Sequence, residues 1–273
     1  MSFAIGGRTV NLIDTPGHPD FIAEVERVLG LLDAAVVVVS AVEGVQAQTR
    51  VLVRALRRIG VPFVFFVNKV DRLGARYGEV MEALAAQLAV RPIAMSSVIE
   101  AGGKLARVEP LDPGNEPLFS ALCEALGEND EALLADYVLD PERLTGERLG
   151  CSLADQVARG LVHPVFAGAA MTGAGVPALA SAIAAILPEQ HPNPGWAGRR
   201  QDLQDRARLG RREAVLCVSD GGHGAAAAIS RSAEWPGESN RYPALPGRAQ
   251  SWRREFWRRT DRARQRACRR PDR

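Results

Sequence analysis

Four short β-rich runs, three of them apolar throughout, are the feature that most limits how this chain can fold. They cover residues 9–14, 35–40, 62–67 and 162–167. Helical spacing of apolar residues predicts helices at 20–32, 47–59 and 77–88, one after each of the first three runs. Continuous apolar strands joined through helices are typical of parallel strands buried on both faces. The sequence therefore predicts an α/β fold with a mostly parallel sheet.

The region after the third helix is less regular. Glycine and proline residues favour loops over 91–114, and further helices are predicted at 116–126, 130–139, 153–161 and 176–187. A proline-rich segment at 192–195 has the composition of a linker. We therefore expect one domain over residues 1–194, with a helical insertion around 91–160, followed by a separate segment over 195–273.

The net charge of +2 for 273 residues conceals two unlike parts. Residues 1–195 contain 15 Lys and Arg against 23 Asp and Glu, whereas residues 196–273 contain 19 against 9. All 19 basic residues of the second part are Arg, and the only lysines of the chain are Lys69 and Lys104. We call residues 196–273 the Arg-rich tail and consider it separately.

Membrane and secretion features are not found in the sequence. Its apolar runs are far shorter than the roughly 20 residues that span a bilayer, and Met1 leads directly into a strand pattern. The four cysteines form neither a CxxC pair nor a zinc-site spacing, so we expect reduced thiols. These features predict a cytoplasmic protein without a membrane partner. We also expect that DNA is not a partner.

Polar motifs follow three of the four strands, where ligands bind in open α/β sheets. They are Asp14-Thr15-Pro16-Gly17-His18, Asn68-Lys69-Val70-Asp71 and Gly168-Ala169-Ala170. An Asp-x-x-Gly alone is a common turn, and the third motif is nearly as well explained as a plain strand-to-helix turn. The first motif followed about 50 residues later by Asn-Lys-x-Asp is the guanine-nucleotide signature.

The chemistry of these side chains fits that signature. The Asp14 carboxylate can hold a nucleotide-bound Mg²⁺ through water, and Gly17 lets a backbone N–H approach a γ-phosphate. The Asp71 carboxylate offers two acceptors for the paired N–H donors of guanine, which adenine lacks. Asn68 braces the loop, and the Lys69 stem packs over the base. We assign no role to the other histidines, which are His163, His191 and His223.

Residues 10–72 resemble translational GTPases, namely elongation factor G and, more closely, the ribosomal-protection tetracycline-resistance proteins. The resemblance extends over residues 3 to about 194. It implies a P-loop-GTPase-like fold, GTP or GDP and Mg²⁺ as cofactors, and the ribosome with its rRNA as partner. It also implies that His18 orients the attacking water. The implied activity is ribosome-dependent GTP hydrolysis, either to displace tetracycline or to drive translocation.

The phosphate loop of that family, GxxxxGK[ST], does not occur in these 273 residues. Its switch threonine is also absent, because residues 2–7 correspond to the strand just before Asp14. The strand that carries the loop belongs between the strand ending at Asp14 and the strand at 35–40, so two sheet edges should be unpaired. We expect an N-terminally truncated domain with weak nucleotide binding and little or no hydrolysis.

Two interpretations of the Arg-rich tail remain. Arg253-Arg254 and Arg258-Arg259 interleave with Trp252, Phe256 and Trp257, which would suit a noncatalytic RNA- or ribosome-binding arm. Alternatively, the tail results from a frameshift near 195–198. The codons for residues 199–213, read from their second base, permit V-V-K-T-F-K-I-E-R-G-x-A-G-E-K, a strand expected of the resembled family. We favour the frameshift and expect the tail to be disordered.

Overall fold

The computed structural model describes residues 2–5, 8–16, 32–103, 105–111, 116–139, 144–187 and, as backbone, 213–219. In chain order the strands are β1 (Ser2–Ile5), β2 (Arg8–Pro16), β3 (Ala34–Ser40), β4 (Phe63–Asn68), β5 (Pro92–Ala94), β6 (Ser96–Ile99), β7 (Arg107–Pro110), β8 (His163–Ala167) and β9 (Glu213–Ser219). The helices are α1 (Ala47–Ile59), α2 (Tyr77–Leu88), α3 (Glu116–Gly127), α4 (Glu131–Leu139), α5 (Gly146–Ala158) and α6 (Val176–Ile186).

Seven strands form the main sheet in the order β1-β2-β9-β3-β4-β8-β5. Every pair is parallel except the antiparallel hairpin of β1 and β2. Strands β6 and β7 form a separate antiparallel pair. The predicted mostly parallel α/β sheet is therefore confirmed.

Both faces of the sheet are buried, which explains the continuous apolar strands. Alternate residues of β3 enter two different hydrophobic clusters, Val36 and Val38 in one and Val37 and Val39 in the other. The first cluster contains apolar residues of α3, α4, α5 and α6, and the second contains those of α1 and α2. The result is a three-layer arrangement with helices on each face of the sheet.

Several helices match their predicted bounds because the local sequence defines their ends. Helix α1 buries Val53 and Leu56 and ends at Gly60, whose φ of 72° is the left-handed conformation that terminates helices. Helix α5 begins earlier than the predicted 153–161, because the Thr145 side chain caps it by accepting a hydrogen bond from the Arg148 N–H at 3.2 Å. The predicted helix at 20–32 lies almost wholly outside the described residues.

Two predictions about the strands were wrong. The region 91–114, predicted as loops, contains β5, β6 and β7, each only three or four residues long. The expected pair of open edges between β2 and β3 is not observed, because β9 from the Arg-rich tail lies in that gap. The prediction of disorder for the rest of the tail concerns residues outside those described.

Within the described ranges, no helix is both long and apolar enough to cross a bilayer. Cys123 and Cys151 are free thiols, whereas the side chains of the other two cysteines are not described.

His163 is an unusual core residue because its imidazole is only 3% exposed. It stacks on Phe63 at a ring-centroid distance of 4.5 Å, and neither ring nitrogen has a hydrogen-bond partner among the described residues. Burial, and then the positive charge of Arg57, lower the pKa of His163 to about 4, against 6.5 for the exposed side chain. The sheet core therefore contains a histidine that is neutral at pH 7.

This histidine should make folding sensitive to acid. The unfolded chain gains a proton at His163 below about pH 6.5 but the folded chain only near pH 4, so stability is lost as the pH falls between these values. At pH 4.5 the expected loss is about 2.5 kcal/mol, since one pKa unit corresponds to about 1.4 kcal/mol.

Urea unfolding at pH 7.0 and pH 4.5 measures this loss in wild type and in His163→Phe. The variant keeps an aromatic ring against Phe63 but cannot be protonated, so the difference between the two proteins isolates His163 from titrating carboxylates. Equal pH dependence of wild type and His163→Phe would contradict the assignment.

Candidate functional site

Parallel pairing from β2 to β8 places the carboxyl ends of these strands along one edge of the sheet. Asn68 is the last residue of β4, Gly168 directly follows β8, and Asp14 lies near the end of β2. The described residues of the three predicted motifs therefore reach the same edge. We call this edge the candidate site.

The Asn68 side chain joins two of these motifs. Its Oδ1 accepts hydrogen bonds from the backbone N–H of Lys69 at 2.8 Å and of Ala170 at 2.9 Å. The second bond spans 102 residues of sequence and connects the loop after β4 to the turn after β8. One amide oxygen thus fixes the relative positions of both segments, which is the bracing contact that the sequence predicted.

Backbone hydrogen bonds hold the loop after β4 from three further directions. The Val70 N–H donates to the Gly168 carbonyl at 3.3 Å, the Gly102 N–H donates to the Val70 carbonyl at 2.9 Å, and the Ala41 N–H donates to the Asn68 carbonyl at 2.8 Å. The loop is therefore attached to the ends of β3 and β8 and to the turn after β6. Three backbone hydrogen bonds therefore restrict the shape of the loop.

Lys69 adopts a left-handed backbone conformation, with φ of 65°, and its side chain crosses toward the end of β3. The Lys69 Nζ lies 3.2 Å from Oε1 of Glu43 and 3.4 Å from Oε2. Glu43 is itself anchored, because its N–H donates to the Ser40 Oγ at 3.2 Å and its carbonyl accepts from Gln46 Nε2 at 2.7 Å. The ion pair is half-exposed, so it orients the Lys69 side chain more than it stabilises the fold.

The carboxylates of Asp71 and Asp130 differ in their hydrogen bonds. Burial of Asp130 opposes its ionisation, but hydrogen bonds from the Leu133 N–H, Ser152 and Arg148 lower its pKa overall. The Asp71 carboxylate is partly exposed and has no hydrogen bond or ion pair with the described residues. Its acceptor oxygens are thus available to a ligand at this edge.

The first motif is placed differently from its prediction. Asp14, Thr15 and Pro16 are the last residues of β2 rather than a loop after it, since β2 pairs with β9 as far as Pro16 and Ser219. Asp14 is half-buried and lies in register with Cys217 of β9. Gly17 and His18 lie outside the described residues, so their roles stay predictions.

The segment from Gly168 to Gly175 forms a tight turn between β8 and α6. The Ala169 N–H donates to the Ala174 carbonyl at 3.0 Å, and Ala169 and Ala170 are both buried. A Cβ at Gly168 would lie 2.5 Å from the Ala174 carbonyl oxygen, and one at Gly175 would lie 2.0 Å from the Ala167 carbonyl oxygen. The turn requires glycine at both ends, and it contacts the loop after β4 through the Ala170 N–H and the Gly168 carbonyl.

Three residues of this edge were not predicted from the sequence. Glu43 directs Lys69, as described above. The buried Ser96 accepts a hydrogen bond at its Oγ from the Ala167 N–H at 2.9 Å, which fixes the end of β8. Met171 follows Ala170 and is 77% exposed, which is unusual for a large apolar side chain. The contacts of Glu43 and Ser96 are with residues distant in sequence, and Met171 is notable only for its exposure. Neither property can be read from a residue pattern.

The described residues contain no cluster of three or more His, Cys, Asp or Glu side chains placed to bind a metal ion.

Residues 1–189 match the family model of the elongation factor Tu GTP binding domain. The chain is 49% identical over 191 residues to the oxytetracycline resistance protein of Streptomyces rimosus, and this match covers 70% of the chain and 29% of that protein. It is 44% identical over 191 residues to the tetracycline resistance protein TetM of Streptomyces lividans, with the same coverage of 70% and 29%.

Two further similarities are more distant. The chain is 34% identical over 223 residues to elongation factor G 2 of Geobacter metallireducens, covering 72% of the chain and 32% of that protein. A crystal structure of a protein from Thermus thermophilus superposes with a TM-score of 0.59 at 30% identity, covering 68% of this chain and 31% of that one. The chain spans less than a third of the length of each of these proteins.

The turn after β8 gives a direct test of the site's architecture. Gly175→Ala should destabilise the protein by about 3 kcal/mol, because it combines a left-handed φ of 75° with a Cβ that overlaps the Ala167 carbonyl. Gly173→Ala is the matched control, with φ of 81° but open space around its Cβ, and should cost only about 1 kcal/mol. Urea unfolding measures both, and equal losses would show that the turn is not packed as described.

Proposed function

Because the chain belongs to the family of the elongation factor Tu GTP-binding domain, we propose that it binds GDP and GTP at the candidate site. The family match over residues 1–189 supports a nucleotide-binding domain over residues 1–194, to whose sheet β9 adds one strand from outside that range. The observation that carries the proposal is the Asp71 carboxylate. It has no hydrogen bond or ion pair with the described residues, and it lies on a loop that Asn68 fixes in place.

Guanine recognition is assigned to the loop after β4. The two oxygens of Asp71 accept hydrogen bonds from the N1–H and the 2-amino group of guanine, and the Lys69 stem packs against the face of the base. The Glu43 ion pair orients Lys69 for this contact. Adenine offers no matching donor pair and would leave the carboxylate without its hydrogen bonds, which costs about 1–3 kcal/mol or more. The site therefore prefers GDP to ADP.

The phosphate side of the nucleotide lies toward the end of β2. The Asp14 carboxylate suits a Mg²⁺ carried by the nucleotide, since that ion keeps most of its water and needs only one or two protein oxygens. An ion held there would supply neutralisation of phosphate charge. Gly17 would approach the terminal phosphate, and His18 would orient a water molecule beside it. Thr15 and Pro16 belong to the same end of β2 and would lie beside the phosphates, while Val70, Gly168, Ala169 and Ala170 would contribute backbone atoms around the base.

The ribosome is the proposed partner, with the cytoplasm as the location. One relative is named as an oxytetracycline resistance protein, a second as the tetracycline resistance protein TetM and a third as elongation factor G 2. The higher identity to the first two favours a ribosomal-protection domain over a translocation factor.

Hydrolysis should be slow in this chain. The sequence contains no GxxxxGK[ST], whose lysine and backbone N–H groups hold the β- and γ-phosphates in this class of enzyme. Phosphate release from GTP, measured with ribosomes, should therefore be at least 100-fold slower than for an elongation factor G. Turnover at a comparable rate would contradict the proposal, and any residual activity should fall further in His18→Ala.

Guanine recognition by Asp71 is tested with fluorescent GDP. Asp71→Asn removes one acceptor and the charge, so GDP affinity should fall at least 100-fold, about 2.7 kcal/mol, which two hydrogen bonds to a carboxylate can supply. Xanthine has a carbonyl in place of the 2-amino group of guanine and can accept from the new amide. XDP binding by Asp71→Asn should therefore be stronger than its GDP binding.

Asp155→Asn provides the matched control, because Asp155 is an exposed carboxylate on α5 that pairs with Arg159 at 3.2 Å. Its GDP affinity should equal that of wild type. A wild-type protein that binds GDP and ADP equally, or an Asp71→Asn protein with unchanged GDP affinity, would exclude this assignment of the loop.

A further inference from the structure

Strand β9 occupies a central position although it comes from the Arg-rich tail. It is parallel to β2 over seven register pairs, from Val10 and Glu213 to Pro16 and Ser219. It is parallel to β3 over five pairs, from Ala34 and Val215 to Val38 and Ser219. Both edges of β9 are therefore used in the sheet.

The position of β2 depends on this strand. Its sheet neighbours in the described structure are β1, which forms the outer edge, and β9. The hydrogen-bonded path from Asp14 on β2 to Asn68 on β4 consequently passes through β9 and then β3. Without β9, the β1–β2 hairpin would lose its hydrogen bonds to the rest of the sheet.

The sequence of β9 suits the place that it fills. At this gap the neighbouring residues of β3 belong to hydrophobic clusters on both faces of the sheet, so an inserted strand must be apolar without alternation. Residues 214–218 read Ala-Val-Leu-Cys-Val, a continuous apolar run between Glu213 and Ser219. This run is the best match to a buried parallel strand in the tail.

Charge also favours this docking. Residues 1–195 have 8 more acidic than basic residues, whereas residues 196–273 have 10 more basic than acidic residues. Opposite net charges attract the two parts over distances of roughly a Debye length, about 8 Å at physiological ionic strength.

We propose that residues 213–219 are the strand that positions Asp14 relative to the guanine loop, so that this tail segment is a functional part of the nucleotide-binding sheet. The strand itself does not contact the nucleotide in this proposal. Its effect on nucleotide affinity rests on the function proposed above, whereas its effect on the sheet does not.

Hydrogen exchange of the full chain, followed by mass spectrometry of peptides, tests the effect on the sheet. In wild type, the amides of residues 213–219 should exchange at least 100-fold more slowly than those of an unstructured peptide of the same sequence. Leu216→Pro removes one N–H from β9 beside Ile13 and Ala35, its register partners. Protection should then be lost in residues 213–219 and in β2, while β4 and β8 remain protected.

Leu245→Pro is the matched control, because it makes the same substitution in the tail outside β9. It should leave the exchange of β2 and β9 unchanged. Global unfolding of Leu216→Pro but not of Leu245→Pro would also support the proposal, since it would show that the effect is specific to residues 213–219. Unstructured-peptide exchange rates for residues 213–219 in wild type, or full protection of β2 in Leu216→Pro, would overturn it.

The affinity of the variants for GDP provides a second test of the proposal. Leu216→Pro should bind fluorescent GDP at least tenfold more weakly than Leu245→Pro. Failure of wild type to bind GDP would reject the proposed function and leave the exchange experiment to decide the role of β9. Equal GDP affinities of the two proline variants, with wild type binding, would show that β9 does not position the site.

Discussion

Burial of both faces of the parallel sheet is the constraint on which the remaining structure depends. Because β3, β4 and β8 have hydrophobic clusters above and below them, their interiors exclude charged groups, and polar chemistry is confined to the places where strands end. The polar residues of the candidate site follow that constraint, with Asn68 at the end of β4 and Gly168 directly after β8. The same constraint makes His163 costly, since its imidazole is buried without hydrogen-bond partners among the described residues.

Two side-chain oxygens, Asn68 Oδ1 and Ser96 Oγ, connect neighbouring strand ends at the candidate site. The Asn68 Oδ1 serves two backbone donors from segments that are far apart in sequence, and the Ser96 Oγ accepts from Ala167 across 71 residues. The Asn68 Oδ1 lies where two loops meet, so neither loop can shift without leaving a donor unpaired, whereas the Ser96 Oγ joins β6 to the end of β8. The ion pair with Glu43, just after β3, orients the Lys69 side chain. These hydrogen bonds restrict the loop after β4 and the turn after β8, which reduces the ordering that ligand binding requires.

Sequence patterns identified the long elements because periodicity is averaged over many residues. Helices α1 and α2 and strands β3 and β8 match their predicted bounds closely, and Asp14, Asn68 and Gly168 lie at the carboxyl ends of their strands as expected. Strands β5 to β7 were missed because three or four residues flanked by Gly and Pro give no period. Glu43 and Ser96 were missed because their partners are remote in sequence. Strand β9 was missed because the average composition of the tail, rich in Arg, concealed one apolar run.

The central place of β9 has a consequence for the order in which the protein can be completed. Residue 10 pairs with residue 213, so the sheet contains a contact between segments about 200 residues apart. Residues 1–187 can form their helices and the β3, β4 and β8 ladder as they are synthesised, but the gap beside β3 stays open until residue 219 has been made. During that interval two strands expose unpaired backbone groups at the middle of the future sheet. Biosynthesis, more than the finished fold, is the stage at which this chain is most exposed to aggregation.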